Sequence, residues 1–261
     1  MLGYWRAGRL TGRKIVPTRT RLSVSSSLRI FVSPHMPVRH LGIILDGNRR
    51  WAKARGLPSL EGHRRGYDNL KTIGLAAFDR GLEHLTAFVF STENWQRAPE
   101  EVAYLMDLLH GALTREMGFF REHGVRLKIL GRRERLAPPL LRAIDEAQTA
   151  TAAGQRGQLN LCLNYGGRAE IVDAVKALAA SGVRPENVTE ELIAANLWSA
   201  GIPEPDLIVR TSGERRLSGF LTWSGVYSEL LFIDKHWPDF GPADLDEALA
   251  EYDRRQRRFG K

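Results

Sequence analysis

Short apolar runs alternate with longer amphipathic stretches along the chain, beginning near residue 41. The apolar runs have the length and composition of buried strands, and they lie at 41–45, 85–90, 125–130, 159–163, 207–210 and 230–233. Between them, apolar positions recur at helical spacing at about 60–80, 99–120, 138–153, 168–180, 189–197 and 242–257. This alternation predicts an α/β fold, a single domain in which helices flank a six-stranded, mostly parallel sheet.

The longest predicted helix after the second strand, 99–120, begins with a clear N-terminal signal. Pro99 suits the first helical turn, and the acids Glu100 and Glu101 suit its positive end. An apolar stripe then continues through Val102, Leu105, Leu109, Leu113 and Met117. The pattern predicts one uninterrupted helix whose apolar face could help to wall a tunnel, together with the strand at 85–90.

Polar clusters directly follow four of the predicted strands. They lie at 46–51, 91–97, 164–168 and 210–216 and contain arginines, small hydroxyls, glycines and amides. In open parallel sheets, ligands bind at the carboxyl ends of the strands. Arginine forks fit phosphate oxygens, and a carboxylate such as Asp46 can hold Mg²⁺ against a diphosphate. The sequence therefore predicts a magnesium-dependent diphosphate site centred on Asp46–Trp51.

Other site classes lack their sequence signatures. The chain contains no G-x-x-x-x-G-K-[ST] phosphate loop, no G-x-G-x-x-G after a strand and no G-x-S-x-G nucleophile elbow. Its histidines show no zinc-type spacing, and no D-D-x-x-D occurs on a predicted helix. These absences disfavour nucleotide, dinucleotide, hydrolase and zinc chemistry.

The net charge of +8 suggests nucleic-acid binding, but its distribution argues against it. Residues 1–36 contain no acid and seven bases, and removing these from the 38 basic residues leaves 31 against 30 acids. We therefore predict no nucleic-acid partner. The stretch 1–36 is predicted to be a basic, disordered extension preceding a catalytic domain at 37–261. An upstream start codon, a transit peptide or a membrane-touching arm remain alternative interpretations.

A single cysteine, Cys162, lies inside an apolar run, which excludes a disulfide framework and favours a reducing compartment. No apolar run approaches the roughly 20 residues needed to cross a bilayer. We predict a cytoplasmic protein, with membrane contact limited to the inner face through a lipid product or the basic tail.

Five motifs, in order, carry a resemblance to a known family. They are Leu45–Ala52 with Gly62-His63, Phe90–Trp95, Asn164–Arg168, Asp206–Glu214 and Trp237-Pro238. Over about 37–260 the chain resembles the cis-prenyltransferases, the isoprenyl transferases of undecaprenyl diphosphate synthase type. The stretch 214–220 and the Arg-Arg-Phe-Gly ending are similar to actinobacterial members, including short-chain ones.

The resemblance implies condensation of isopentenyl diphosphate with an allylic diphosphate to give cis prenyl diphosphates, with Mg²⁺ as cofactor and a homodimer as assembly. It implies Asp46 and Asn94 as catalytic residues, and Asp46 with Glu229 as metal ligands. Substrate-binding residues would be Gly47, Asn48, Arg49, Arg50, Trp51, Ser59, His63, Ser91, Thr92, Glu93, Trp95, Arg97, Arg210, Arg216, Leu217 and Ser218. Because a neutral amide is a poor base, we expect Asn94 to orient the substrate while a diphosphate oxygen or Ser91 takes the C2 proton.

Three positions depart from the family pattern. Arg49 stands where a glycine is common, Ser59 where long-chain members often carry arginine, and Val89 where a small alanine often opens the tunnel. These departures favour a short or medium product, of about cis-farnesyl size, over a long C50–C55 product for a cell-wall lipid carrier. A non-catalytic prenyltransferase subunit is the remote alternative, disfavoured by intact Asp46 and Arg210.

Overall fold

The computed structural model of the protein describes residues 37–255, and the predicted extension at 1–36 lies outside them. Six strands form one sheet: β1 His40–Ile44, β2 His84–Ser91, β3 Val125–Leu130, β4 Gly157–Tyr165, β5 Leu207–Arg210 and β6 Glu229–Phe232. Their order is β3-β4-β2-β1-β5-β6, and all five pairings are parallel. The α/β prediction is confirmed, with a sheet that is wholly parallel across the described residues.

Helices connect the strands on both sides of the sheet. They are α1 Asn48–Lys53, α2 Ser59–Asp79, α3 Pro99–Thr114, α4 Met117–Glu122, α5 Pro138–Thr151, α6 Gly167–Ala180, α7 Glu190–Asn196 and α8 Pro242–Arg254. Short 3₁₀ turns lie at Thr92–Gln96, Pro185–Asn187 and Trp237–Asp239. None of the helices within residues 37–255 combines the length and apolar character needed to cross a membrane.

Side chains that alternate along the strands pack into two apolar cores, one on each face of the sheet. Leu41 and Ile43 of β1 belong to the larger core, whereas Ile44 and Cys162 pack in the smaller core on the opposite face. Burial raises the pKa of the Cys162 thiol well above its usual value, which keeps the thiol protonated and unreactive. Its role is therefore packing, as its place in an apolar run suggested.

The predicted helix 99–120 is interrupted, so that prediction is wrong in its middle. Glu116 leaves helical geometry, with φ −104° and ψ 12°, and separates α3 from α4. Its carboxylate accepts hydrogen bonds from Lys71 at 2.5 Å and from the Tyr67 hydroxyl at 3.0 Å, both on α2. The break is a long-range effect, because the partners that hold Glu116 lie more than 40 residues upstream.

A buried histidine at the amino end of the sheet makes stability sensitive to acid. His40 Nδ1 lies 2.6 Å from the Pro203 carbonyl, so we assign the ring proton to Nδ1, leaving Nε2 to accept from Thr86 Oγ1 at 2.7 Å. Burial lowers the pKa of His40 to about 4. The unfolded chain, with a histidine pKa near ~6.5, therefore binds this proton more readily than the folded one.

We expect the His40 contribution to the free energy of unfolding to be fully present above about pH 6.5. It should be lost as the pH falls toward the pKa of His40 in the folded protein. Between pH 7 and pH 5, His40 should account for about 2 kcal/mol of lost unfolding free energy. Urea denaturation at both pH values measures this loss, and H40Q should remove it. An H40Q variant with the same pH dependence as the parent chain would show that another group is responsible.

Candidate active site

A cavity opens at the carboxyl edge of the sheet, between the strand ends and helices α2 and α3. Ile44, at the end of β1, pairs with Phe88 of β2 and Arg210 of β5, so the segments that follow these strands meet at one edge. The cavity has a volume of about 240 Å³. Its polar lining consists of Asp46, Asn48, His63, Tyr67, Ser91, Asn94, Arg97, Arg210 and Ser218.

Asp46 is held between two guanidinium groups. Its Oδ2 accepts a hydrogen bond from Arg210 at 2.8 Å, and its Oδ1 accepts one from Arg50 at 3.2 Å. Burial alone would raise the pKa of Asp46, but the bonds and charges of Arg210 and Arg50 bring it below its ordinary value. The backbone carbonyl of Asp46 accepts bonds from Thr211 Oγ1 at 2.7 Å and from the Trp237 amide at 3.0 Å. The result is a fixed, ionised carboxylate at the cavity mouth.

The predicted loop 46–51 is in fact a turn followed at once by helix α1. Gly47 has φ 102°, and a Cβ there would lie 2.6 Å from Ser212 Oγ and 2.8 Å from His236 Nδ1. Only glycine combines that backbone angle with so little space. The turn brings the N-terminal amides of α1 to the edge where Asp46 lies, and free helix amides favour bound anions.

Arg210 is a buried cation whose hydrogen-bonding capacity is not fully used. Its side chain is 6% exposed, and it donates to Asp46, to the Arg216 carbonyl at 2.5 Å and to Ser218 Oγ at 2.9 Å. Its buried Nε has no partner within residues 37–255. An unsatisfied buried donor of this kind costs free energy, which a phosphate oxygen in the cavity would recover.

Glu101 lies within contact distance of three of the predicted substrate-binding residues. From the sequence alone, Glu101 was only a signal for the start of a helix. Its carboxylate lies 3.0 Å from His63 Nε2, 3.0 Å from Arg97 and 3.6 Å from Arg49. Burial lowers the pKa of His63, an effect that the Glu101 carboxylate opposes. The spacing of Arg97 and Glu101, four residues apart across the start of α3, was the available signal for this pair. Arg49 therefore has a protein partner, and its guanidinium remains largely exposed.

The segment between β2 and α3 presents Ser91 and Asn94 to the cavity through a capping box. The Asn94 side-chain oxygen accepts a hydrogen bond from the Ser91 amide at 3.0 Å, and the Ser91 side chain accepts one from the Asn94 amide. The Asn94 oxygen is thus engaged by the protein, and its Nδ2 makes no hydrogen bond within residues 37–255. Asn94 is equipped to donate a hydrogen bond to a ligand, rather than to act as a base.

The remainder of the cavity lining is largely apolar. It is formed by Ile44, Leu45, Leu70, Phe88, Val89, Leu105, Leu108 and Leu109. The residues from β2 and α3 are those on which the tunnel expectation rested. A polar mouth and an apolar interior suit a ligand with an anionic head and a hydrocarbon tail.

Four predicted substrate-binding residues lie away from this cavity lining. Trp51 is 7% exposed, donates its indole N–H to Asp239 at 2.7 Å and is covered by Arg55. Trp95 and Thr92 border a neighbouring groove, and Glu93 accepts a bond from Thr92 Oγ1 at 3.0 Å. Assigning both tryptophans to substrate contact is therefore not supported by their positions. The direction of the backbone determines where each indole points, and residue type alone does not reveal that direction.

Three further predicted residues have peripheral positions. Ser59, the first residue of α2, lines an outer groove shared with the 46–50 segment and Lys53. Arg216 is exposed and pairs with Glu214 at 2.6 Å, while its carbonyl accepts from Arg210. Leu217 packs against the smaller core. These positions surround the site, with only the Arg216 backbone in contact with Arg210.

Glu229 does not lie beside Asp46 within one chain, so its role as a second metal ligand, expected near a dimer interface, stays a prediction. Glu229 begins β6 and pairs through Leu207 with Leu41, at the amino end of the sheet. At ~3.3 Å per residue, about five residue steps place it on the order of 15 Å from Asp46. Its carboxylate accepts a hydrogen bond from Arg255 at 3.0 Å instead.

The donor set at Asp46 fits a magnesium ion only if a substrate supplies the other ligands. Within residues 37–255 no group of three or more His, Cys, Asp or Glu side chains is placed to enclose a metal. Mg²⁺ is commonly bound by one or two carboxylates together with substrate phosphates and water. The single ionised carboxylate at a phosphate-compatible mouth meets that requirement.

Comparison with known proteins agrees with this geometry. Residues 44–260 match the family model of undecaprenyl diphosphate synthase. An isoprenyl transferase of Brucella abortus is 50% identical over 226 residues, covering 85% of this chain and 89% of the relative. The isoprenyl transferase of Thermotoga maritima is 46% identical over 224 residues, covering 85% and 96% respectively.

Solved structures give the same result. Lavandulyl diphosphate synthase from Lavandula x intermedia, in complex with dimethylallyl diphosphate, matches with a TM-score of 0.83 at 36% identity, covering 86% of this chain and 99% of that one. A probable undecaprenyl diphosphate synthase from Campylobacter jejuni matches with a TM-score of 0.74 at 27% identity, covering 87% and 100%. The chain therefore belongs to the undecaprenyl diphosphate synthase family of cis-prenyltransferases, and it is a prenyl-transferring enzyme.

Proposed function

We propose that this enzyme condenses isopentenyl diphosphate with an allylic diphosphate, in a magnesium-dependent reaction that gives a short cis prenyl diphosphate. The observation that carries the proposal is the ionised Asp46 at the mouth of an apolar cavity, with Arg50 on one side and Arg210 on the other. Such an arrangement offers two neighbouring anion-binding regions and one apolar space for a hydrocarbon chain.

The allylic diphosphate is assigned to the side formed by Gly47 and the start of α1, with Arg50 and His63. Isopentenyl diphosphate is assigned to the side of Arg210 and Ser218, where the buried Nε of Arg210 lacks a protein partner. Negative charge develops on the allylic diphosphate as its bond to C1 breaks. Preorganised donors stabilise that charge most effectively in a site with little water.

Asp46 would hold Mg²⁺ together with the allylic diphosphate, and the bound ion would supply further neutralisation of the leaving group. Asn94 would orient the reacting carbons by donating from Nδ2, since its oxygen caps Ser91. A diphosphate oxygen or Ser91 would accept the proton lost from C2 of isopentenyl diphosphate, which completes the new double bond.

Two features support a short product. Val89 lines the cavity where the resemblance favours a smaller residue, and Phe88 lies beside it. The cavity volume of about 240 Å³ lies below the ~300–1,000 Å³ of pockets that enclose drug-sized ligands. A cavity of this volume favours a short hydrocarbon chain over the long-chain alternative, a C50–C55 product.

We further propose that the enzyme works in the cytoplasm as a homodimer, touching the membrane only through its lipid product or basic tail. Val226 and Tyr227 are 65% and 68% exposed directly before the edge strand β6, which gives this side of the sheet an apolar surface. In a dimer, Glu229 could serve only a site of the partner subunit. Sedimentation at the monomer mass of 29.3 kDa would contradict the dimer, and absence from membrane fractions would contradict membrane contact.

Turnover with defined substrates tests the proposed function. The enzyme is incubated with labelled isopentenyl diphosphate and with geranyl or farnesyl diphosphate, with Mg²⁺ or with excess chelator. We expect turnover only with the metal, and a product of about farnesyl size when geranyl diphosphate is the allylic partner. Undiminished turnover in chelator would contradict the metal assignment, and a C50–C55 product would contradict the short-chain assignment while leaving the family activity intact.

A further inference from the structure

Trp95 faces away from the active-site cavity although its neighbours in sequence line it. Ser91, Asn94 and Arg97 border the cavity, whereas Trp95 borders a separate groove on the other side of the 92–96 turn. The indole is partly buried against the larger core, with its ring 5.1 Å from Phe90 in an edge-on arrangement. This position makes Trp95 an anchor for the turn rather than part of the cavity wall.

The anchor point for the indole is Asn164, near the end of β4. The Trp95 indole N–H donates to Asn164 Oδ1 at 2.7 Å. The Asn164 amide nitrogen donates to the carbonyls of Arg132 at 3.0 Å and Glu134 at 2.9 Å. One buried amide, 3% exposed, thus joins the segments that follow β2 and β3 to the end of β4.

The surroundings of Asn164 leave it little freedom to move. Its backbone has φ 50°, a left-handed angle that asparagine tolerates better than most residues. Its carbonyl accepts a hydrogen bond from the Arg132 amide at 3.2 Å, and the Arg132 side chain pairs with Asp173 on α6. The Arg135 guanidinium lies 4.3 Å from the centre of the Trp95 ring and closes its outer face.

We propose that Asn164 is a positioning residue for prenyl transfer: through the Trp95 indole it holds the 92–96 turn that presents Ser91 and Asn94 to the substrates. The proposal rests on the assignment of Asn94 to the reacting carbons. Small displacements of an orienting group are costly, because a shift of about 1 Å can lower a rate roughly 100-fold. The Ser91–Asn94 capping box alone fixes the local shape of the turn, and Asn164 fixes where the turn lies relative to the sheet.

The first test removes single groups from this connection. W95F keeps an aromatic ring and deletes the indole N–H, and N164G deletes the amide at a backbone angle that glycine accepts. We expect either variant to lower kcat about tenfold, with KM for both diphosphates changed by less than about twofold. A raised KM with unchanged kcat would overturn the proposal, since that result would make Trp95 a substrate contact.

A double-mutant cycle separates positioning from independent effects. If Asn164 acts through Trp95, W95F/N164G should lose about as much kcat as the more impaired single variant. Additive losses, near 100-fold, would overturn the proposal. The indole N–H resonance of Trp95, identified by its absence in W95F, should move and exchange faster in N164G, a readout that does not depend on turnover.

Asn160 provides a matched control on the same strand. It is also a fully buried amide, and it bonds to Thr86 Oγ1 at 3.0 Å and Gln158 at 2.8 Å, toward the amino end of the sheet. N160A should lower the melting temperature while kcat stays within about twofold of the parent enzyme. An equal kcat loss in N160A would overturn the proposal by showing that any damage to β4 suffices. Should N164G fail to fold, W95F with the N160A control still decides the question. Wild-type turnover, measured alongside, tests the proposed function separately.

Discussion

Replacing Asp46 with alanine is expected to lower kcat by at least about 100-fold, the magnitude seen when a preorganised charge-stabilising group is removed. Asp46 is the ionised carboxylate at the cavity mouth, and Arg210 and Arg50 keep it in place. Its loss removes the proposed magnesium ligand and frees both arginines from their present positions. Steady-state kinetics with isopentenyl diphosphate and an allylic diphosphate, at several Mg²⁺ concentrations, measures the effect.

Two further variants make the Asp46 result specific. D46N retains the size of the side chain but loses its charge, so we expect its Mg²⁺ requirement to rise sharply. Asp239 offers a matched control, because it also accepts bonds from an arginine and a second donor, Arg55 and Trp51. D239A should stay within about twofold of the parent kcat. A D46A enzyme with more than about a tenth of the activity, a barrier change below roughly 1.4 kcal/mol, would refute the metal assignment.

Replacing Arg210 with methionine should raise KM for isopentenyl diphosphate and lower kcat/KM by about 100-fold or more. The guanidinium is buried and donates hydrogen bonds to Asp46 and Ser218. Its Nε–H group has no hydrogen-bond partner within residues 37–255. Hydrogen bonds to charged groups are worth about 1.5–3 kcal/mol each, so losing the phosphate contact at Nε, together with the bond that holds Ser218 in place, reaches this magnitude. The allylic KM should change much less, since that substrate is assigned to the other side of Asp46.

Lysine at position 210 tests whether geometry or charge matters there. Lysine keeps the charge but cannot reproduce the planar fork of donors, so R210K should remain at least about tenfold impaired. Arg80, directly after α2, makes a forked pair with Asp246 of α8, and R80K therefore provides a control in which we expect unchanged kinetics. Equal KM increases for both substrates in R210M would contradict the assignment of Arg210 to isopentenyl diphosphate.

The strands and most helices could be predicted because their signals are local. The run at 41–45 is apolar throughout and ends in Asp46-Gly47, and the structure places β1 at His40–Ile44 with the turn directly after it. The break at Glu116 could not be predicted, because it depends on Lys71 and Tyr67 of another helix. The apolar stripe continues across the break, so the sequence pattern does not indicate an interruption.

Some residues of the candidate site could likewise be predicted from local sequence, whereas others depend on contacts between distant segments. Asp46 follows one predicted strand and Arg210 ends another, and parallel pairing alone brings such positions to one edge of the sheet. Glu101 was overlooked because an acid near a helix start already has a local explanation. Its contacts with His63 and Arg49 exist only once α1, α2 and α3 have packed together.

By itself, the sequence determined the α/β architecture and the family of the enzyme, and it predicted the edge of the sheet at which the candidate site lies. Those properties follow from the spacing of apolar residues and from motifs of a few neighbouring residues. Only the tertiary structure decided that the Trp95 indole bonds to Asn164 and that the Glu101 carboxylate contacts three basic side chains. The tertiary structure alone also decided that Glu229 lies at the opposite end of the sheet from Asp46. These outcomes depend on side-chain direction and on contacts between distant segments, which residue type and spacing leave open.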